Sequence, residues 1–177
     1  MRKDIFIKGL LDCEQLIRRS FNSGGLTDRL NHTLAVAELA SKKASSLGLC
    51  GEKARMLGLI HDVGYCTEYA EYGFHALDGY NALYRYHPKL AADMLYHTST
   101  PEEASLRGIE LPKVETSVYG AILSFADCRV DSKGNVISFE ERLSDIVSRY
   151  GSDSVIAEAN TKAWKRLALQ EEKFGFL

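Results

Sequence analysis

Apolar residues recur along most of this chain at the three- and four-residue spacing of an amphipathic helix. The clearest stretch runs from about Thr27 to Ser46, where the apolar face also carries His32. Only three prolines interrupt the 177 residues, and good helix formers are frequent throughout. The pattern therefore predicts an all-α fold, a compact helical domain of about seven helices.

Glycines, prolines and capping residues divide this pattern into separate helices. Gly64 is expected to be the C-terminal cap of the helix that begins at Gly51. Ser138 and Glu141 have the spacing of a capping box. The expected helices run from Phe6 to about Ile17 with Leu10, Leu11 and Cys13 on the apolar face, from about Thr27 to Ser46, from Gly51 to Gly64, from about Phe74 to Tyr86, from Pro88 to about His97, from about Thr116 to about Asp127, from Ser138 to about Tyr150, and from Ser152 or Asp153 to about Lys173 with Leu169 among its apolar residues.

The stretch from Thr98 to Glu115 is the most loop-like part of the chain. Its Thr100-Pro101-Glu102-Glu103 sequence has the residues of a capping box, which predicts a short helix that ends at Gly108. The length and polarity of this stretch suit a flap over a site, and suit a plain surface connection equally well. The sequence leaves these two interpretations open.

No repeat, low-complexity tract or Pro/Gly-rich linker divides the chain. Residues 1–177 are therefore expected to form a single domain, because this length suits one hydrophobic core. The core that carries the motifs is expected at about 26–142. The C-terminal helix, at about 152–173, is expected to pack on that core.

Composition and charge narrow the classes of partner. The formal net charge is −2, so no strong field for nucleic acid or an anionic membrane is implied. We therefore expect a small-molecule substrate and no nucleic-acid polymer, and no membrane either, since no apolar run approaches the roughly 20 residues of a membrane span. Residues 1–6 lack a long apolar region, which argues against a secretory signal and for a cytoplasmic protein. The four cysteines form no CxxC pair and are expected to be reduced thiols.

Four of the five histidines fall at helical positions that also carry core residues. A buried imidazole is costly without a partner, so four of them in one small core indicate a partner that they share. Imidazole and carboxylate together suit a divalent transition metal. The candidate metal ligands are His32, His61, Asp62, His75, His97 and Asp127.

The order of these residues resembles that of the HD (His–Asp) metal-dependent phosphohydrolase superfamily. The resemblance runs from about Leu26 to Arg142 and implies a helical domain of the HD type for the whole chain. It is carried by Arg29-Leu30-Asn31-His32, by Gly58-Leu59-Ile60-His61-Asp62-Val63-Gly64 and by Ser124-Phe125-Ala126-Asp127.

The resemblance implies one or two divalent ions, with Fe, Mn, Ni, Co, Zn or Mg as candidates. His75 and His97 resemble the extra pair of the subset that binds a second ion, with Asp62 bridging both ions. The catalytic residues implied are Asp62 and His61, around a metal-activated water that attacks a phosphoester or phosphoanhydride of a small molecule such as a nucleotide. The ligands implied for the first ion are His32, His61, Asp62 and Asp127.

Three arginines near the motifs are candidate phosphate contacts. Arg29 lies one turn before His32, Arg129 follows Asp127, and Arg142 lies further along. A phosphate held by the protein would need such fixed positive charge in addition to the ions. The alternative for each arginine is a side chain in solvent.

Some superfamily members carry a Lys directly after the His-Asp-x-Gly stretch, where this chain has Tyr65. That departure argues against the cyclic-dinucleotide and stringent-response branches. His87 is expected at the surface. Asp78, one turn from His75, either orients that imidazole or faces solvent, and Asp131 is interpreted as a turn residue.

Three functions are compatible with this ligand set. The first is a metal-dependent phosphohydrolase acting on a small phosphoester or nucleotide. The second is a mixed-valent di-iron oxygenase, which a few members of the superfamily are. The third is a non-catalytic sensor that binds a nucleotide or a metal. The oligomeric state is also left open, with a homodimer as one alternative.

Overall fold

The structure, a computed structural model, describes residues 7–176, and this part of the chain is all-helical, as the apolar pattern predicts. Between residues 7 and 176 there are nine α-helices, against about seven expected. A single antiparallel bridge joins Val130 and Val136, and a 3₁₀ helix spans Val63–Tyr65. Phe6 lies outside the described residues. The helices are Leu10–Ser23 (α1), Thr27–Ser46 (α2), Gly51–Ile60 (α3), His75–Leu83 (α4), Pro88–Leu95 (α5), Thr100–Leu106 (α6), Val118–Asp127 (α7), Phe139–Tyr150 (α8) and Val155–Lys173 (α9).

Helices α2 and α3 form the most extensive helix pair and build the centre of the core. They approach so closely that a Cβ on Gly58 would lie 2.5 Å from Cα of Ala37. Any larger residue at position 58 would push the two helices apart, because the nearest atoms are the backbone Cα and N of Ala37, which cannot rotate away. This packing brings His32 of α2 and His61, the residue after α3, onto adjoining buried faces.

Gly64 is not the C-terminal cap that its position suggests. Helix α3 ends at Ile60, and Gly64 lies within the following 3₁₀ helix, without a left-handed backbone. A Cβ at Gly64 would overlap the carbonyl oxygen of His75 at the start of α4. Glycine is therefore required here for the close approach of two backbone segments rather than for ending a helix.

The loop-like stretch contains the expected short helix, α6, which begins at Thr100. The predicted capping box is absent from its start. Its N-cap is Ser99, and that side chain makes no capping hydrogen bond. The helix packs on α9, where Arg166 donates to both carboxylate oxygens of Glu102 at 2.8 Å. The first half of the stretch is thus mostly a docked helix, and its residues 98–99 and 107–115 lack helical structure.

The capping box predicted at Ser138 and Glu141 is confirmed, with both of its hydrogen bonds present. Helix α9 is capped by Ser154 rather than by the two preceding residues, and it packs on α6, α7 and α8. Leu11 and Leu169, which were assigned to apolar faces, are 68% and 65% exposed. In residues 7–176, no helix is long and apolar enough to cross a membrane. All four cysteines are free thiols, three of them buried.

Candidate metal centre

The six predicted ligands lie together at the ends and faces of five helices. Five of them are buried, and the side chain of His75 is 17% exposed. They come from distant parts of the chain, so only the packing of the helices brings them into one cluster. The ligands are His32 on α2, His61 and Asp62 directly after α3, His75 as the first residue of α4, His97 shortly after α5, and Asp127 as the last residue of α7.

Two sets of three donor atoms are close enough to share an ion, and His61 belongs to both. In one set, the donors lie within 4.8 Å of one another, with His32 Nε2 3.0 Å from Asp127 Oδ1. In the other, His61 Nε2 lies 3.3 Å from Asp62 Oδ2. The three-donor sets are His32, His61 and Asp127, and His61, Asp62 and His97.

The two oxygens of Asp62 face different histidines. Oδ2 lies 3.3 Å from His61 Nε2 and 4.0 Å from His32 Nε2, whereas Oδ1 lies 3.7 Å from His75 Nε2. A carboxylate in this position can contact two ions at once. Asp127 also faces two ways, because its Oδ2 lies 3.8 Å from His97 Nε2.

Backbone carbonyls orient three of the imidazoles. In each, Nδ1 lies within hydrogen-bond distance of a carbonyl oxygen, which accepts its proton and leaves Nε2 with a free lone pair. That nitrogen is the one that points into the cluster. The pairs are His32 with Asp131 at 3.0 Å, His61 with Gly58 at 2.7 Å, and His97 with Met94 at 2.5 Å.

The arrangement fits a divalent cation. Nε2 of His32 and Nε2 of His61 are buried and have no hydrogen-bond partner among the described residues. Each faces a carboxylate oxygen, so two lone pairs oppose one another unless a positive charge lies between them. Imidazole nitrogen and carboxylate oxygen together are donors that suit a transition metal.

The protonation states agree with this fit. Burial raises the pKa of Asp62, but Arg29 and His61 outweigh it and hold that pKa well below its usual range. Burial likewise raises the pKa of Asp127, and the neighbouring His32, His61 and Arg142 side chains outweigh it and lower the pKa. Burial lowers the pKa of His75 to about 3 and lowers that of His97. The cluster therefore offers two anionic carboxylates, and His75 and His97 are neutral imidazoles.

His61 behaves differently from the other two imidazoles. Burial lowers its pKa, but the carboxylate of Asp62 outweighs burial, so the pKa is raised. The surroundings of its Nε2 therefore favour a positive charge. This agrees with its place in both three-donor sets.

Tyr65 belongs to the surroundings of the candidate metal centre. In the sequence it stands out only because some members of the HD superfamily carry a Lys at this position. Its ring stacks on the His75 imidazole, with 4.3 Å between ring centroids and 14° between planes. The Arg29 guanidinium lies 4.0 Å from the centroid of the same tyrosine and donates to Asp62 Oδ2 at 2.8 Å. Tyr65 therefore supports both a candidate ligand and the arginine that donates to the Asp62 carboxylate.

Of the three arginines predicted to contact phosphate, two line the cavity over the metal cluster and one does not. Arg29 and Arg142 line the cavity over the cluster, and Arg142 donates to Asp127 Oδ1 at 3.3 Å. Arg129 does not line it, because both of its terminal nitrogens donate to Glu171 at 2.5 and 2.7 Å. The structure therefore does not support Arg129 as a phosphate contact.

Arg149 is a cavity residue that sequence reasoning missed. It lines the cavity over the cluster together with Arg29 and Arg142. It lies seven residues after Arg142 on α8, which places both arginines on one face of that helix. That spacing is the signal that could have identified it.

Two further predictions near the centre are corrected. Asp78 neither contacts the His75 imidazole nor faces solvent, because it is buried and accepts hydrogen bonds from the backbone N–H groups that precede α4, including that of Phe74 at 3.2 Å. His87 is only partly at the surface, and its Nε2 is buried without a hydrogen-bond partner in the described part of the chain. Asp131 is a turn residue, and its carbonyl also orients His32.

The chain leaves α5 through a strained residue. Thr98, directly after His97, has a left-handed backbone (φ 43°), which is unfavourable for a β-branched side chain. Its N–H donates to Ser124 Oγ at 3.0 Å, and its carbonyl accepts from Arg166. These contacts hold the turn that directs the chain away from the cluster and keep Thr98 in the cavity wall.

The cavity over the cluster has two different walls. Its volume is about 70 Å³, and one wall is the polar cluster with Arg29. The other wall is formed by α8 and α9 and is mainly apolar, although it also carries Arg142 and Arg149, and there Phe139 stacks on Trp164 with 3.7 Å between centroids. A ligand here would meet charge at the cluster and mainly apolar side chains at the two helices. The apolar residues of this wall are Phe139, Leu143, Ile146, Ile156, Trp164 and Leu167.

Comparison with known proteins identifies the class of domain. The family model of the HD domain matches residues 29–129. A ribonuclease Y from Rhodopirellula baltica is 28% identical, over 83% of this chain and 28% of its own length. Ribonuclease Y from Thermotoga petrophila is 43% identical over 34% of this chain and 12% of its own, and that from Thermus thermophilus is 34% identical over 49% and 15%. No solved structure gives a significant match.

These relatives correct one expectation. The chain spans less than a third of the length of the curated relatives that it matches. These relatives are named ribonucleases, so excluding a nucleic-acid polymer as partner was wrong. The net charge of the chain was a poor ground for that exclusion, because a few phosphates need only a local group of cations.

Proposed function

We propose that this chain, which belongs to the HD domain family of the metal-dependent phosphohydrolase superfamily, hydrolyses a phosphoester of a nucleotide unit. The observation that carries the proposal is the pair of buried Nε2 atoms, on His32 and His61, that face carboxylate oxygens without a hydrogen-bond partner. Such an arrangement is costly in a folded core unless a cation is bound there.

The ligand roles follow from the geometry. His32, His61 and Asp127 would hold one ion, with Asp62 as the carboxylate that reaches a second position beside His75 and His97. His61 and Asp62 are the proposed catalytic residues, because they contribute to both positions. Ions bound in such sites lower the pKa of a coordinated water and neutralise charge on phosphoryl oxygens.

The remaining side chains bind and orient. Arg29 and Arg142 each donate to a candidate ligand carboxylate, and both line the cavity. Each guanidinium has five N–H donors, so donors remain for phosphate oxygens. Burial of the cluster beneath α8 and α9 keeps bulk water away from it, which strengthens these charge interactions.

The nucleotide as reacting unit is supported by the two-walled cavity. A charged wall suits a phosphate, and an apolar wall with aromatic rings suits a base or sugar face. The nucleotide can be free or part of an RNA, because the relatives are named ribonucleases. The bond is a phosphomonoester in a free nucleotide and a phosphodiester in an RNA, and a metal-activated water can attack the phosphorus of either.

The test is metal analysis combined with hydrolysis. The purified chain is loaded with Mn, Fe, Co, Ni, Zn or Mg in turn, and ions per chain and release of p-nitrophenol from p-nitrophenyl phosphate are measured. We expect one or two ions and hydrolysis that is lost in Asp62→Asn, while the exposed Asp153→Asn serves as control. Bound metal without hydrolysis of any phosphoester would indicate a sensor, and oxygen uptake by the iron form without hydrolysis would indicate an oxygenase.

A further inference from the structure

A second cavity, of about 440 Å³, lies beside the one over the metal centre. Three residues line both cavities and so form their common wall: Arg29, Arg142 and Arg149. A ligand bound at the metal centre therefore has the second cavity directly behind these arginines. The other residues that line the second cavity are Gly25, Leu26, Thr27, Asp28, His32 and Ser132.

The charge of this second cavity is positive. Three arginines line it against a single acidic residue, Asp28. Asp62 and Asp127, which accept hydrogen bonds from Arg29 and Arg142, face the metal centre and would be neutralised by its ions. Asp145 pairs with Arg142 at 3.0 Å and with Arg149 at 2.8 Å, so Asp28 and Asp145 are two carboxylates against three arginines. An anion in one of the two cavities would balance the remaining positive charge.

The arginines also keep unused donors. The described hydrogen bonds engage one nitrogen of Arg29, which donates to Asp62. Arg149 uses Nε and one terminal nitrogen on Asp145 at 3.1 and 2.8 Å, in an ion pair one helical turn apart on α8. Its other terminal nitrogen makes only a long hydrogen bond to the Tyr150 hydroxyl, at 3.4 Å. The Arg149 side chain is 30% exposed, so it can reorient towards a ligand.

Backbone donors reach the same cavity. Thr27, Asp28 and Arg29 begin α2, and their N–H groups have no helical partner, since the first hydrogen bond of the helix is from Leu30 to Leu26. The N-cap, Leu26, has no side-chain oxygen to accept from them. These donors add to the guanidinium groups, which carry the main argument.

We propose that the second cavity binds a second phosphate group of the same substrate, next to the phosphate that is hydrolysed at the metal centre. This inference rests on the proposed function and specifies its substrate as a nucleotide with more than one phosphate. Two sources share this chemistry: the next phosphate of an oligonucleotide, and the outer phosphate of a nucleoside diphosphate.

The test compares substrates with one and with two phosphates. We would measure kcat/KM for p-nitrophenyl phosphate, for the dinucleotide pApA and for ADP in the wild type, in Arg149→Gln and in Arg18→Gln. Arg18 is the matched control, because it makes the same kind of i,i+4 ion pair, with Glu14 at 2.8 Å, away from both cavities. The quantity of interest is the ratio of kcat/KM between the two-phosphate and one-phosphate substrates.

We expect Arg149→Gln to lower this ratio about 10-fold, the effect of one charge-assisted hydrogen bond, and Arg18→Gln to leave it unchanged. For the dinucleotide, the slope of log KM against log salt should also fall by about 0.7, the value for one phosphate contact on a single strand. A loss confined to pApA assigns the site to an oligonucleotide, and a loss confined to ADP assigns it to a diphosphate.

An equal ratio in the wild type and Arg149→Gln would overturn the subsite while leaving the proposed hydrolysis intact. If the wild type hydrolysed none of the substrates, the proposed function would fail, and binding would then decide the subsite. In that case adenosine 3′,5′-bisphosphate should bind about 10-fold more tightly than AMP in calorimetry, and equal affinities would overturn it. Ser132→Asp, which adds an anion to the cavity, gives a second variant should Arg149→Gln fail to fold.

Discussion

The two sides of the metal centre are held in place by different means. On the inner side, His32 and His61 are buried and their Nδ1 atoms lie on backbone carbonyls. On the outer side, the His75 side chain is 17% exposed, and among the described residues its Nδ1 has no hydrogen-bond partner. The stack on Tyr65 supports it instead.

This contrast has a structural origin. The inner histidines lie at the contact of α2 and α3, the central pair of the core, which Gly58 allows to approach closely. His75 begins α4 after a loop, and its position depends on the 3₁₀ helix at Gly64 and on the buried carboxylate of Asp78. The inner side inherits the rigidity of the core, whereas the outer side relies on a few local contacts.

The largest effect should come from the residue that joins the two sides. Asp62→Asn removes the carboxylate that faces both His61 and His75, and we expect loss of bound metal and a fall in kcat of at least about 10³-fold. Metal content and p-nitrophenyl phosphate hydrolysis measure it. Wild-type metal content in this variant would contradict the bridging role.

The two sides should separate when single histidines are removed. His61→Ala affects both three-donor sets and should leave less than one ion per chain, whereas His75→Ala should keep the inner ion. Metal analysis after gel filtration measures the count. The comparison would fail if both variants retained the same number of ions.

Loss of the stack should weaken only the outer side. Tyr65→Ala removes the ring that supports His75, and we expect about 10-fold weaker binding of the second ion, the usual size of an outer support effect. Tyr65→Phe keeps the ring and is the matched control. Competition with a metal-sensitive dye gives both affinities, and equal affinities for the Ala and Phe variants would show that the stack is dispensable.

The smallest effect on the centre should come from Arg129→Gln. It breaks the pair with Glu171, whose side chain is mostly buried, and we expect a loss of about 1–3 kcal/mol in the free energy of unfolding. Metal content and kcat should stay at the wild-type values, because Arg129 does not line the cavity. Urea unfolding and the hydrolysis assay check the two parts, and a KM increase without loss of stability would restore Arg129 as a phosphate contact.

Helical periodicity and capping motifs predicted the features that depend on residues close together in the sequence. The helical period placed His32 on a buried face, and the spacing of Ser138 and Glu141 identified the start of α8. The same rules failed at Gly64, whose role depends on a tertiary contact with the backbone of His75. They also failed at Leu11, because its side chain remains 68% exposed. A period identifies a face of a helix but not the element that lies against it.

By itself, the sequence determined the helical class and six residues able to ligate a metal, because both depend on residue type and on spacing within one element. Tertiary structure decided which arginine meets the centre and which pairs with Glu171. It also decided that the Asp131 carbonyl orients His32, 99 positions away. Contacts over such separations depend on how helices pack, and packing is a property of the whole core rather than of any segment.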